Sequence, residues 1–341
     1  MWGWPTCSEP SRVRKTGIYM GSPWEIIAHG PPHVCPRAIE AAFHEIKRIE
    51  SLLSRFRPDS EIARINRAVG PRVLSIDPEV CRLIAQVLCF AERTGGAFDP
   101  TAGALSRLWG LGPGGPRSSP PGADEIRAAL KRVGYRHVCV DEKNSRVKVD
   151  GRGIELDLGA AGKGYAVDRA VAVLKSCGIE RGWVGCGSTG YALGAPPSRE
   201  GWRIGIRDPG RPDCVIQMVS LRDRAISTSA AYEQFSIFDG KRLGHICDPR
   251  TGRPAEGPAG VTVVAPAAVE ADILSTAAYV LGIEAGLPFL RSRADIEACF
   301  VEGRGPASGS GPPRDGVGRT GAGRTAGGFS PGCLPHWGFS P

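Results

Sequence analysis

Three oxygen-bearing side chains, Asp272, Ser275 and Thr276, stand at i, i+3 and i+4 in VEADILSTAAYVL, residues 269–281. The stripe Ile273, Ala277, Val280 and Leu281, followed by Gly282, predicts a helix, which puts the three oxygens on one face. Such a face is either a set of hard oxygen donors or an ordinary solvated surface, and the residues alone favour the second. A second chemical feature is ELDLGAAGKGYAVDRAVAVLKSCG, residues 155–178. Gly159, Ala160, Ala161, Gly162 and Gly164 allow the main chain to approach a ligand closely, and a helix starting there offers unpaired N–H groups to an anion. The chemistry implied is phosphate handling. A P-loop is excluded, because Asp157 sits where its spacing needs glycine and Gly164 where it needs a hydroxyl; the G-x-G-x-x-G pattern also fails. Taken alone, a glycine-rich turn is more often simply a tight connection. Lys163 adds weight to an anion, since a lysine at a helix start opposes the helix dipole unless a negative group is near.

The elements that must position these groups follow from periodicity. Ile154, Leu156 and Leu158 alternate with charges, predicting a half-buried strand that feeds a helix through Val167, Ala170, Val171, Leu174 and Cys177 to the stop at Gly178. Residues 18–27 read as an opening strand carrying Met20-Gly21-Ser22. After Pro36, Ile39, Ala42, Phe43, Ile46, Ile49 and Leu53 make one face of a long helix. Asp77 and Pro78 cap another, with Val80, Leu83, Ile84, Val87, Leu88 and Ala91 inward and Gly95-Gly96 at its end. A short helix over 123–133, a hairpin of 138–140 with 147–149, and strands over 184–193 and 202–206 complete the pattern. Strands and helices alternate without regular β-α-β spacing, which predicts an α+β architecture with mixed sheets. Residues 112–122 read as a flexible surface loop. From 303 to 341 the chain is rich in Gly, Pro, Ser and Arg and poor in aliphatics, which predicts disorder.

The 341 residues are 41% hydrophobic, enough for a real core in one large domain or two ordinary ones. The net charge of +8 draws on Arg304, Arg314, Arg319 and Arg324 of the terminal segment, and no basic stripe interleaved with aromatics occurs elsewhere. A nucleic-acid partner is therefore not expected. The 11 cysteines are spread singly, without C-x-x-C pairs or zinc spacing; this favours a reducing compartment. As written, with no apolar leader over 1–16 and no long apolar run, the chain is expected to be cytoplasmic.

LDLGAAGKGYAVDRA resembles the central motif of the ApbE-type flavin transferases, which move FMN from FAD onto a threonine of a target protein. Further matches follow in the family's order: Met20-Gly21-Ser22, residues 96–101 (GAFDPT), Ser227-Thr228-Ser229, residues 245–252 (HICDPRTG), and Ala271-Asp272 with Thr276. The resemblance covers roughly residues 17–300 and implies an ApbE-like fold over 17–302, with the flavin site between two lobes. It also implies roles. Met20, Phe56, Ala97, Phe98, Asp99, Asp157, Lys163 and Ile246 are expected to contact FAD, Asp99 presenting its carboxylate from an extended Asp-Pro turn. The reaction breaks a pyrophosphate and expels AMP, which calls for Mg2+. Asp272 and Thr276, with the Ala160 carbonyl, are the implied ligands, and Ser275 is a weaker candidate. His245 is the implied general base toward the acceptor threonine. The implied partner is an acceptor protein, a redox-complex subunit or a flavin reductase. Two alternatives stay open: an FAD pyrophosphatase, and a flavin-binding protein without turnover. In the first, water replaces the threonine hydroxyl; the second is suggested by two departures, Gly187-Ser188-Thr189 where the family commonly reads Gly-Gly-Asp, and Ala230 where it reads glycine.

Overall fold

In the computed structural model the described residues are 11–68, 73–110, 117, 119–230, 235–238, 241–302 and 317–319. In chain order the elements are β1 (Ser11–Tyr19), β2 (Ser22–Gly30), α1 (Cys35–Leu53), α2 (Glu61–Arg67), β3 (Val73–Ser75), α3 (Pro78–Arg93), α4 (Gly103–Leu108), α5 (Ala123–Leu130), β4 (Val138–Asp141), β5 (Arg146–Val149) and α6 (Gly162–Ser176). They continue as β6 (Arg181–Cys186), β7 (Thr189–Leu193), β8 (Trp202–Asp208), β9 (Arg211–Leu221), β10 (Arg224–Ala230), β11 (Phe235–Phe238), β12 (Lys241–Gly244), β13 (Cys247–Asp248), β14 (Arg253–Pro254), β15 (Gly260–Ala265), α7 (Ala268–Arg291), β16 (Glu297–Val301) and β17 (Val317–Arg319).

An eight-stranded sheet in the order β1-β2-β6-β7-β10-β15-β16-β17 forms the frame, and every pairing in it is antiparallel. Alternation along each strand divides its two faces. Trp24, Ile26, Val184, Ala225, Val261 and Val263 bury against α1, α6 and α7. The intervening Ile27, Trp183, Ile226 and Val264 bury on the other side beneath the β8–β9 ribbon, through Trp202, Ile204 and Leu221. Gly190 makes room for the large ring in that second layer, since a Cβ there would fall 2.4 Å from Trp183. A three-stranded sheet, β3-β5-β4, packs separately beside α3.

The expected α+β class holds, with strand pairings that are antiparallel rather than mixed among the described residues, and the long helices fall where periodicity puts them. α1 carries its predicted face, α3 is capped by the Asp77 carboxylate, which accepts from the Glu79 and Val80 N–H groups, and Gly178 stops α6 with a φ of +79°. Four readings change. Residues 18–27 are a hairpin rather than one strand: β1 and β2 join through a two-residue loop in which Met20 and Gly21 both have positive φ, the twist that two-residue hairpins require. Residues 184–193 are likewise two strands, turning at Gly187-Ser188. Residues 154–158 bury Ile154, Leu156 and Leu158 as expected but form no strand. The Asn66 amide takes both Leu156 main-chain groups, and the Asp157 N–H goes to the Pro100 carbonyl. Finally, Val317–Arg319, inside the tail expected to be disordered, pairs with β16 as an edge strand. The rest of that tail, and most of the 112–122 loop, lie outside the described residues.

α7 is long and apolar enough by composition to cross a membrane, yet half of its most apolar stretch is buried inside the fold. Gly282, with φ +72°, breaks it where the sequence predicts the helix end. It packs as a core helix on β10 and β15.

Candidate active site

One end of the main sheet opens into a cleft of about 570 Å³. The β1–β2 loop, the end of α1, the β6–β7 turn, the end of β10 and the first turns of α6 and α7 all reach it. Of the residues singled out from the sequence, Met20, Phe56, Ala97, Phe98, Asp99, Asp157, Ala160, Lys163, His245, Ile246, Asp272 and Thr276 all line it. They come from segments up to some 250 positions apart, and the antiparallel returns of one sheet bring them together.

The floor is built by the crossing of α6 and α7. A Cβ at Gly164 would lie 2.3 Å from the Ala268 carbonyl oxygen, so only glycine allows this approach. The approach lets the Gly164 N–H donate to Asp272 Oδ2 at 3.0 Å. Asp272 Oδ1 accepts from Thr189 at 3.3 Å and from Ser227 at 3.4 Å. Asp272 is 6% exposed, which disposes of the solvated-face alternative. Burial pushes its carboxyl above the ordinary range, while the Lys163 charge and the three donors pull it back. A second clamp lies one turn away. Asp168 of α6 accepts from the Ala268 and Val269 N–H groups at 2.7 and 2.9 Å and so caps α7. Burial raises the Asp168 carboxyl to about 6.

Thr276 Oγ1 donates to the Asp272 carbonyl at 3.1 Å, which spends its proton and leaves its lone pairs for the cleft. Ser275 does not share this position. It is fully buried, donates to the same carbonyl, contacts Ser229 at 3.0 Å and does not line the cleft. The i+3 offset turns it toward β10, so the expected third oxygen belongs to the packing beneath the floor.

The opposite wall carries the glycine-rich turn. Asp157 accepts from the Gly159 N–H at 3.0 Å and from Ser106 at 3.4 Å, and pairs with Arg55 at 3.3 Å. The Arg55 guanidinium also lies over the Phe56 ring, 4.7 Å from its centroid, and Phe56 is 61% exposed at the rim. Met20 is fixed by its own N–H, which donates to Glu50 at 2.9 Å. Asp99 departs from expectation. It lines the cleft, but its Oδ1 accepts from the Thr101 N–H and hydroxyl and its Oδ2 from the Tyr135 N–H, so both carboxylate oxygens also staple the loop. Ala97 and Phe98 are buried and shape the wall. His245, half-buried, and Ile246, buried, also line the cleft. After His245, strand pairing is at Cys247 and Asp248, with β14.

Several site residues went unread from sequence. Arg55 and Glu50 sit among ordinary surface charges of their helix and loop. Ser227 and Ser229 carried a signal that could have been used, namely polar residues two apart on the inward face of an otherwise apolar strand. Asp168, inside the central motif, and Thr189, inside the Gly187-Ser188-Thr189 departure, were quoted without a role, because their partners lie 100 and 83 positions away. Of the departures, Ser188 lines the cleft, Thr189 turns its hydroxyl to Asp272, and Ala230 is fully buried against Gly260.

Fold and cleft together define an α+β protein in which a glycine-rich turn and a buried carboxylate backed by hydroxyls share one cleft; the turn does not offer the row of unpaired N–H groups expected, since Gly159 donates to Asp157, Ala161 and Gly162 to the Leu158 carbonyl, and Gly164 to Asp272. The chain belongs to the ApbE family, whose model matches residues 20–300. It is 36% identical to the FAD:protein FMN transferase of Treponema pallidum over 279 residues, 77% of this chain and 76% of that protein. It is 33% identical to an FAD:protein FMN transferase of Klebsiella pneumoniae over 84% of this chain and 88% of that one. Among solved structures it resembles the ApbE protein of Thermotoga maritima, with a TM-score of 0.78, 34% identity, and coverage of 85% of this chain and 94% of the other. It also resembles the apo form of the flavinyl transferase ApbE of Pseudomonas stutzeri, with a TM-score of 0.77, 31% identity, and coverage of 87% and 93%.

Proposed function

We propose that this chain is an FAD:protein FMN transferase that attaches FMN to a threonine of an acceptor protein and releases AMP. The observation that carries the reading is the gathering in one cleft of Asp157, Lys163, His245, Asp272 and Thr276, in a chain with full-length relatives bearing that activity. In this reading the Gly159–Gly164 turn and Lys163 receive the pyrophosphate, Arg55 and Asp157 orient the dinucleotide, and Phe56 and Ile246 border the flavin. The threonine Oγ bonds to the phosphorus of the FMN half, the pyrophosphate P–O bond breaks with its electron pair leaving on AMP, and His245 accepts the hydroxyl proton.

Mg2+ fits the donor set. Asp272, Thr276 and the Ala160 carbonyl offer one charged and two neutral oxygens on one cleft, and no group of three His, Cys, Asp or Glu suited to a softer metal occurs among the described residues. When bound, the ion supplies charge neutralisation on the phosphate oxygens. The protein's own part is to keep Asp272 ionised and oriented and to hold the two phosphates against the α6 N-terminus. The acceptor is a subunit of a redox complex or a flavin reductase, since such proteins use a covalently held flavin.

Incubation with FAD, MgCl2 and a threonine-bearing acceptor is the test. Acceptor-dependent AMP release, with flavin fluorescence on the denatured acceptor, is expected. AMP with free FMN in the absence of acceptor would instead assign a pyrophosphatase, and retained FAD with no AMP a binding protein.

A further inference from the structure

The cation proposed for the cleft has one charged ligand, and that ligand is held by neutral donors. Asp272 Oδ2 meets the Gly164 N–H, and Oδ1 meets Thr189 and Ser227, which are themselves 3.0 Å apart. The hydroxyls continue inward. Ser275 lies 3.5 Å from Ser227 and 3.0 Å from Ser229, and Ser229 lies 3.2 Å from Thr276. A run of buried hydroxyls from Thr189 through Ser227, Ser275 and Ser229 thus joins the carboxylate of Asp272 to the hydroxyl of Thr276. Thr189, Ser227 and Ser275 are at most 1% exposed, and Ser229 is 8% exposed.

The proton count limits what this run can do. Thr189 and Ser227 own one proton each and share three contacts: with each other, and each with Oδ1. Whichever hydroxyl donates to the other, one proton remains for the carboxylate. Oδ1 therefore keeps a donor in either arrangement, and the carboxylate plane stays fixed between the hydroxyl pair and the Gly164 N–H. The hydrogen bonds that orient the carboxylate come from neutral groups, while the Lys163 charge acts on it electrostatically. At the far end the run meets Thr276, whose proton is directed to the Asp272 carbonyl.

We propose that Thr189 and Ser227 are positioning residues, which hold the Asp272 carboxylate in the orientation that receives the divalent cation. The proposal rests on the reading of Asp272 as a metal ligand. Groups that orient a ligand in this way commonly carry tenfold to a hundredfold of metal affinity.

The test replaces the hydroxyls without changing shape. Thr189→Val keeps the β-branched side chain of β7, Thr189→Ser keeps the hydroxyl, and Ser227→Ala removes the other donor. Purified protein is titrated with MnCl2 by electron paramagnetic resonance without FAD, and AMP release is followed against MgCl2 concentration. Thr189→Val and Ser227→Ala should each weaken Mn2+ binding about tenfold and raise the MgCl2 requirement in step. Thr189→Ser should lie within about twofold of the parent, FAD affinity without metal should be unchanged, and melting temperatures should stay within a few degrees. Unchanged Mn2+ affinity in Thr189→Val, beside a clear loss in Asp272→Asn, overturns the positioning role and leaves the metal assignment standing. No loss in Asp272→Asn either overturns both. A loss in Thr189→Val that Thr189→Ser fails to restore assigns the effect to packing and also overturns the proposal.

Discussion

The cleft is lined by two aspartates whose surroundings differ in kind. Asp157 at the glycine-rich turn pairs with a guanidinium and is partly open, whereas Asp272 is buried, takes its hydrogen bonds from amide and hydroxyl donors, and feels the Lys163 charge electrostatically. A carboxylate beside arginine has its charge already balanced and is suited to orienting a polar ligand by hydrogen bonds. One surrounded by neutral donors remains ionised only at a cost that a cation relieves. Burial raises the Asp272 carboxyl, as expected for such a site before a cation arrives. In the function proposed above, the contrast corresponds to a substrate-orienting wall and a metal-receiving floor.

The largest effect should come from disturbing the floor itself. Gly164→Ala puts a methyl 2.3 Å from the Ala268 carbonyl oxygen, and neither helix backbone can yield without losing the bond to Asp272. Overpacking of backbone on backbone should cost on the order of 3 kcal/mol or more, read as a fall in melting temperature together with lost Mn2+ binding. A variant as stable as the parent would show that the α6–α7 crossing is looser than this geometry. Next in size is Asp272→Asn, which keeps shape and a neutral oxygen but removes the charge. Loss of roughly 1.5 to 3 kcal/mol should weaken Mg2+ tenfold to a hundredfold, nearly stop AMP release, and leave FAD binding on the opposite wall intact. Superimposable curves of turnover against magnesium for the two proteins would sink the division of labour.

The same contrast explains what could be read from sequence. The strongly periodic helices α1 and α3 were legible because a one-sided apolar stripe and a cap are local facts. The i, i+4 offset placed Asp272 and Thr276 on one face, but the residues alone favoured a solvated surface, and it was the family resemblance that singled them out. Ser275 was misassigned because i+3 turns it toward β10, which only the tertiary packing reveals. Residues 154–158 show the converse: the alternation correctly marked the buried side chains, but strand formation depends on a hydrogen-bonding neighbour, and Asn66 filled that role instead. The β1–β2 turn was hidden because Met20 gives no turn signal, although it adopts a positive φ that glycine normally supplies. Asp99 looked free to meet a ligand because Tyr135, which holds it, arrives from 36 positions away.

On the orienting wall the expected effects are smaller and of another type. Arg55→Gln removes the charge beside Asp157 and the cation over Phe56. FAD affinity should fall about tenfold, equivalent to about 1.4 kcal/mol, and the Mn2+ dissociation constant should not move. Calorimetric titration with each ligand separates the two walls directly, and equal losses in both would mean that they act as one unit.

The smallest effect sharpens the comparison through pH. The floor holds a second buried carboxylate, Asp168, raised by burial to about 6 from its ordinary 3.8. The folded state therefore binds its proton more tightly than the unfolded state. This contribution to stability is fully present below about pH 4 and is lost as pH rises through 6, the reverse of an ion-paired aspartate. The positive end of α7, which Asp168 caps, favours the charged form and trims the effect to about 1 kcal/mol. In metal-free protein the melting temperature should accordingly drop by a few degrees more between pH 4.5 and 7 than it does in Asp168→Asn, where nothing titrates at that position. Asp168→Asn keeps one acceptor for the Ala268 and Val269 N–H groups, so α7 remains capped and the comparison isolates the charge. Added Mn2+ should shrink the difference, because a cation on Asp272 offsets one of the negative charges that raise Asp168. Parallel curves for the two proteins, with and without Mn2+, would mean that the floor carboxylates are not coupled and that burial alone does not set the floor apart from the wall.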